Sequence, residues 1–195
     1  MGAVQVRRAP VVAQRFNLSA TSVLVIDDAQ TSRDIINSIL QGFGVTHRRC
    51  CSTATEAWEL LEREAFDLVI ADGEMPDQDG FDLTSKVRAD PDGPNFTVPI
   101  LLVSAHTPRA KIGRARDAGA NMVVRKPLAP GVLLDRIEWL ARTPRKFVSS
   151  PGYRGPDRRF QTKAPPDGIE ERRADAQKRL SQPELSQNDI DSLFD

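Results

Sequence analysis

Val23-Leu24-Val25-Ile26-Asp27-Asp28 sets four consecutive aliphatic residues against two carboxylates. A short run that is apolar on every side chain, bounded at once by charge, predicts a strand covered on both faces. Working outward, β-branched runs recur at residues 45–50, 68–71, 98–103 and 121–125, and stretches of helical period lie between them. The first, third and fourth runs are almost wholly apolar, whereas the second and fifth are more polar and suit sheet edges. Helices are expected after a Thr31 or Ser32 cap, after Thr53, over residues 81–89, over 108–118 and over 129–142. This alternation predicts five parallel strands joined by right-handed crossovers, an open doubly wound α/β sheet with helices on both faces.

Composition narrows the function. Of 195 residues, 39% are hydrophobic, and 27 basic side chains balance 27 acidic ones. No standing field marks the whole molecule as a general binder of nucleic acid or membrane surface. No apolar run approaches the roughly 20 residues that cross a bilayer, and residues 1–20 lack the apolar stretch of a secretory signal, so a cytoplasmic protein is expected. Cys50 and Cys51 are too few to staple the fold, and with His47 they make a poorly spaced metal trio; ordinary thiols near a strand end are expected.

Ligands of doubly wound sheets gather outside the carboxyl ends of the central strands. There the sequence places Asp27 and Asp28, Asp72, Ser104, and Lys126 followed by Pro127. Converging carboxylates repel, and a hard divalent cation such as Mg2+ relieves that repulsion. A neighbouring ammonium and hydroxyl add what a phosphoryl group needs.

These pieces are similar to the receiver domain of CheY-like response regulators. They are Val23-Leu24-Val25-Ile26-Asp27-Asp28, Asp72-Gly73-Glu74-Met75-Pro76-Asp77-Gln78-Asp79-Gly80, Ser104-Ala105, and Gly119-Ala120 leading to Lys126-Pro127. The resemblance implies a flavodoxin-like sheet of order 2-1-3-4-5 over residues 21–143. It implies that Asp72 accepts a phosphoryl group from a histidine kinase or histidine phosphotransferase. Asp28, Asp72 and the backbone carbonyl of Glu74 would hold Mg2+ directly and Asp27 through water, while Lys126 and Ser104 would meet the phosphoryl oxygens. Such a domain signals by contact and is not an enzyme beyond its own phosphotransfer and dephosphorylation. Val123 stands where the family carries an aromatic switch residue. Glu74 and His106 flank the expected route of water to the phosphate. The alternatives are a Mg2+-dependent aspartyl-phosphate phosphatase, for which Met75-Pro76 departs from the usual pattern, and a phosphorelay or phosphate-sink receiver with no flagellar role.

Outside the receiver, residues 1–20 are expected to be a flexible lead and 144–184 a Pro/Arg-rich linker, since 6 of the 14 prolines lie beyond residue 143. No DNA-binding output domain fits a tail so poor in aliphatic residues, and neither DNA nor a membrane is an expected partner. Arg154, Arg158 and Arg159 beside Tyr153 could stack on a nucleotide, but packing on the receiver is the preferred reading. In residues 185–195, Leu185-Ser186-Gln187-Asn188-Asp189-Ile190-Asp191-Ser192-Leu193-Phe194 combines a capping box with apolar residues at helical spacing. It resembles the segment by which the flagellar switch protein FliM binds CheY, so the expected partners are a flagellar switch or a CheY-like receiver. Docking is expected on the fourth helix, fifth strand and fifth helix, with Asp189 and Asp191 facing Arg109, Lys111 or Arg114.

Overall fold

The computed structural model describes residues 17–158 and 184–194. Five parallel strands, β1 (Ser22–Ile26), β2 (His47–Cys51), β3 (Leu68–Asp72), β4 (Ile100–Ser104) and β5 (Met122–Arg125), pair in the order β2-β1-β3-β4-β5. β3 and β4 are buried along their whole length. Helices α1 (Gln30–Gly42), α2 (Ala54–Arg63), α3 (Gly80–Ala89), α4 (Arg109–Ala118) and α5 (Pro130–Arg142) make the crossovers. The two apolar layers follow from strand alternation. Leu24, Ile26, Val69, Ala71, Ile100 and Leu102 face one layer, while Val23, Val25, Leu68, Ile70, Leu101 and Val103 face the other.

Side-chain caps start two of the five crossover helices. Thr53 caps α2 by accepting from the Glu56 amide, and Asp79 caps α3 through the Asp82 amide. α1 departs from expectation: Ala29 is its N-cap, and Thr31 and Ser32 lie inside the first turn. Asp27 takes over part of that task, its Oδ1 accepting from the Ala29 amide at 3.0 Å. Gly80 is required by close approach, since a Cβ there would stand 2.1 Å from the Asp72 carbonyl oxygen. α3 therefore starts against the strand that ends in Asp72.

Within the region expected to be a linker, residues 147–156 carry regular structure. β6 (Phe147–Ser150) and β7 (Tyr153–Pro156) form an antiparallel hairpin resting on α3 and α4. At its base Arg88 is 2% exposed and donates to the carbonyls of Gly119, Phe96 and Val98 and to Asn121 Oδ1. Phe147 covers that guanidinium at 5.4 Å. Gly119 adopts φ +92°, and a Cβ there would meet Arg154 O at 2.8 Å. Leu18, in the stretch expected to be a flexible lead, is buried in the core.

A final helix, α6 (Gln187–Phe194), lies on the β5 edge. Its expected capping box is present: Ser186 Oγ donates to Asp189 Oδ2 at 2.6 Å, and the Asp189 amide returns a bond to Ser186 Oγ. Ile190 and Phe194 are fully buried in one cluster with Ile112, Ala115 and Val123.

Candidate phosphoacceptor and metal site

The three acids converge as expected. Asp27 and Asp28 leave β1, Asp72 ends β3, and one carboxylate oxygen from each lies within 4.8 Å of the others. Among the described residues this is the one group of three or more acidic, histidine or cysteine side chains that could hold a metal ion; His47, Cys50 and Cys51 form none. Asp27 and Asp72 are buried while Asp28 is exposed, so the cluster opens to solvent on the Asp28 side. Oxygen donors with no nitrogen or sulfur suit a hard cation.

Lys126 closes the far side, its Nζ donating to Asp27 Oδ2 and Asp72 Oδ2, each at 2.8 Å. Burial disfavours its charged form, but the hydrogen bonds and charges of Asp27 and Asp72 outweigh that and hold its pKa above the ordinary value. The Asp72 carboxyl is also raised. Burial is the largest cause and the Asp27 charge adds to it, against the hydrogen bonds from Lys126 and the Glu74 amide. The two shifts differ in origin: burial dominates at Asp72, whereas the two acid partners dominate at Lys126.

Ser104 ends β4 next to Asp72, whose strand register pairs it with Val103. Its hydroxyl is committed elsewhere, donating to His106 O at 2.7 Å and accepting from the His106 amide at 3.2 Å. Glu74 donates its amide to Asp72 Oδ1, while its carboxylate is turned to Lys111 on α4. His106 likewise points away from the pocket, with Nδ1 3.2 Å from Glu184 Oε1. Both side chains are thus engaged with partners other than Asp72.

The α4–β5–α5 face carries the C-terminal segment, but not through the expected charges. Arg114 is spent on Asp79 and Asp82, and Lys111 on Glu74. Asp191 pairs with Arg136 of α5, and Asp189 serves the cap. Glu184 accepts from the Thr107 amide and lies 3.7 Å from Arg125. Gln187, which the sequence reading passed over, accepts from the Arg125 amide at 2.8 Å and donates to Val123 O at 3.2 Å. A side-chain amide thus satisfies the open edge of β5 as a sixth strand would. A glutamine at the start of an amphipathic helix is the only sequence signal for it.

The arginines considered for nucleotide binding are engaged within the chain. Arg154 donates to Ala89 O, and Arg158 bonds Asp117 and lies 3.5 Å from the centroid of the Tyr153 ring. Arg159 lies outside the described residues. No helix among the described residues is long and apolar enough to cross a membrane.

The family model for the response regulator receiver domain matches residues 23–138. The chain is 36% identical over 116 residues to the chemotaxis protein CheY of Pseudomonas aeruginosa, an alignment covering 60% of this chain and 92% of that one. It is 35% identical over 117 residues to chemotaxis protein CheY1 of Helicobacter pylori, covering 60% and 93%. Among solved structures, the chemotaxis response regulator CheY4 of Vibrio cholerae matches with TM-score 0.56 at 27% identity, covering 60% of this chain and 96% of that one. A putative response regulator from Chloroflexus aurantiacus matches with TM-score 0.57 at 27% identity, covering 63% and 98%.

Proposed function

The chain belongs to the response regulator receiver domain family, and from that premise we propose that it is a response regulator acting in chemotaxis or motility. Asp72 takes the phosphoryl group of a phosphohistidine on a histidine kinase or phosphotransferase. Its carboxylate oxygen bonds phosphorus, the phosphorus–nitrogen bond breaks, and the freed imidazole keeps the electron pair and takes up a proton. The observation that carries this reading is the convergence of three carboxylates, two of them bonded to one ammonium, at the carboxyl ends of adjoining strands. A carboxylate is a poor nucleophile toward anionic phosphorus until positive charge offsets the crowd. Lys126 supplies part of that charge. Mg2+, held by Asp28, Asp72 and the Glu74 carbonyl with Asp27 behind water, would supply the rest.

The protein then works in the cytoplasm by contact with partners and not as an enzyme. The likeness of its C-terminal segment to the flagellar switch peptide, together with chemotaxis proteins among its relatives, supports the motility assignment. The test is stoichiometric labelling by acetyl phosphate with Mg2+. Labelling should require both the metal and Asp72, and should vanish in Asp72→Asn. Steady hydrolysis of an aryl phosphate would instead mark the phosphatase alternative, and labelling that survives the substitution would remove Asp72 as acceptor.

A further inference from the structure

We propose that Arg33 is a positioning residue for the metal site: its guanidinium clamps the main chain of the β1–α1 turn and so aims the Asp28 carboxylate at Mg2+. The inference rests on the reading of the acid cluster as a Mg2+ site and adds to it a residue outside the ligand set.

The turn needs holding at one point in particular. Asp27 is fixed at both carboxylate oxygens, Oδ1 accepting from the Ala29 amide at 3.0 Å and Oδ2 from Lys126 Nζ at 2.8 Å. Asp28 has no such anchor. It is exposed, and its carboxylate accepts no hydrogen bond from the described residues. The helix behind it gives no help, since Ala29 is the N-cap of α1 and makes no side-chain cap bond. A side chain with nothing to hold its tip takes its direction from the backbone that carries it.

Arg33 fixes that backbone. Its Nη1 donates to the carbonyl oxygens of both Asp27 and Asp28, the latter at 2.9 Å. These carbonyls belong to the two peptide units that flank the Asp28 Cα, so one donor restrains both torsions there. The guanidinium is held in its turn: Nη2 donates to Gln30 Oε1, and Gln30 Nε2 donates to Asp34 Oδ1 at 2.8 Å.

The placement runs against simple electrostatics. Near the amino end of a helix the dipole favours acids, yet the first turn of α1 carries none and Arg33 follows it. Its charge also opposes a cation on Asp28. Geometry and charge therefore predict opposite signs, the clamp raising Mg2+ affinity and the bare charge lowering it. Geometry wins here, because solvent on the open Asp28 side screens the charge, whereas a ligand that loses its outer partners loses about ten- to a hundredfold in metal affinity.

The test uses the full chain and Mg2+ alone, with affinity read from the amide shifts of Asp72 to Glu74. Arg33→Ala should bind Mg2+ about tenfold or more weakly while remaining folded in urea unfolding with chelator. In a chain that already carries Asp28→Ala, the same substitution should change affinity by less than about twofold, because the residue it acts through is gone. Gln30→Ala, which frees the guanidinium without removing it, should weaken binding in the same direction by a smaller factor. Labelling of Arg33→Ala by acetyl phosphate should need about tenfold more Mg2+ for half its maximal rate and should reach the maximum of the parent. Affinity that rises in Arg33→Ala makes the residue a repelling charge and overturns the inference. An equal loss with and without Asp28 overturns it too, as does a maximal rate that stays low at saturating Mg2+. A parent chain that binds Mg2+ but takes no label removes the acceptor reading and leaves the clamp to be judged by affinity. A parent that binds no Mg2+ removes both.

Discussion

Replacing Asp72 by asparagine should stabilise the metal-free protein. The three carboxylate oxygens lie within 4.8 Å of one another, so Asp72 faces two like charges, each costing about 3.5 kcal/mol at an effective dielectric of about 20. Lys126 at 2.8 Å returns about 6 kcal/mol on the same scale. Repulsion exceeds attraction by about 1 kcal/mol, and burial of the carboxylate adds to the deficit. Asparagine removes the charge and keeps an acceptor for the Glu74 amide, so a gain of about 1–3 kcal/mol is expected. The pH dependence fixes the sign. Asp72 titrates above its ordinary value in the folded chain, so between the two values the folded state binds more protons than the unfolded one. The penalty is complete above the raised pKa and is relieved as pH falls toward 3.8, so the advantage of the variant should shrink over that window. Saturating Mg2+ should reverse the order, because the parent gains a ligand that the variant binds weakly. Urea unfolding with chelator and with Mg2+, from neutral pH downward, makes the comparison. A variant less stable than its parent without metal would refute the picture of an electrostatically crowded site.

Three further outcomes follow from the same contacts. Ile190→Ala removes a fully buried side chain and should shift docking of α6 by about 2–4 kcal/mol, whereas Asp191→Asn should cost under about 1 kcal/mol and lose its effect in salt; amide shifts of α5 and α6 report both. Glu184 is held below its ordinary 4.5 first by the Thr107 amide and then by His106 and Arg125, so its contribution to docking is whole above 4.5 and is lost as pH falls through the depressed value; a pH titration of the Thr107 and Leu185 amides should show loss only on that acid side. Arg88, pushed down to about 10 by burial, is bonded to neutral acceptors alone among the contacts described above, so Arg88→Ala should cost about 3 kcal/mol in urea unfolding and free the hairpin; a loss under about 1 kcal/mol would show that the hairpin holds without it.

The parts legible in the sequence are those whose physics is local. Ile26 followed by Asp27 and Asp28, and Ala71 followed by Asp72, give both a buried strand and its chemical end in one short stretch. The capping box of Ser186 and Asp189 needs only three residues, and the spacing of Ile190 and Phe194 names their shared face. The hairpin is not legible because its strands, Phe147–Ser150 and Tyr153–Pro156, have four residues each and carry no polar–apolar alternation. Their order comes from Gly119 and Arg88, which are distant in sequence. The same limit explains the start of α1, where a carboxylate at Asp27 does work that a side-chain cap would otherwise do.

The charged partners of α6 show why composition alone pairs charges poorly. The basic run on α4 invites an acidic ligand, yet Lys111 and Arg114 already face Glu74, Asp79 and Asp82 across the mouth of the acidic pocket. Those acids sit in the turn that follows Asp72 and at the start of α3, so the basic helix is tied to the candidate phosphorylation site and not free for the tail. The cations that do meet the tail, Arg125, Arg136 and Arg145, are spaced singly on β5, on α5 and just beyond it. Only the fold brings them to one groove. α4 thus ties Lys111 and Arg114 to the pocket and shares, through Ile112 and Ala115, the apolar cluster of Ile190 and Phe194. Movement of that helix in answer to chemistry at Asp72 would be felt in the apolar cluster that holds Ile190 and Phe194.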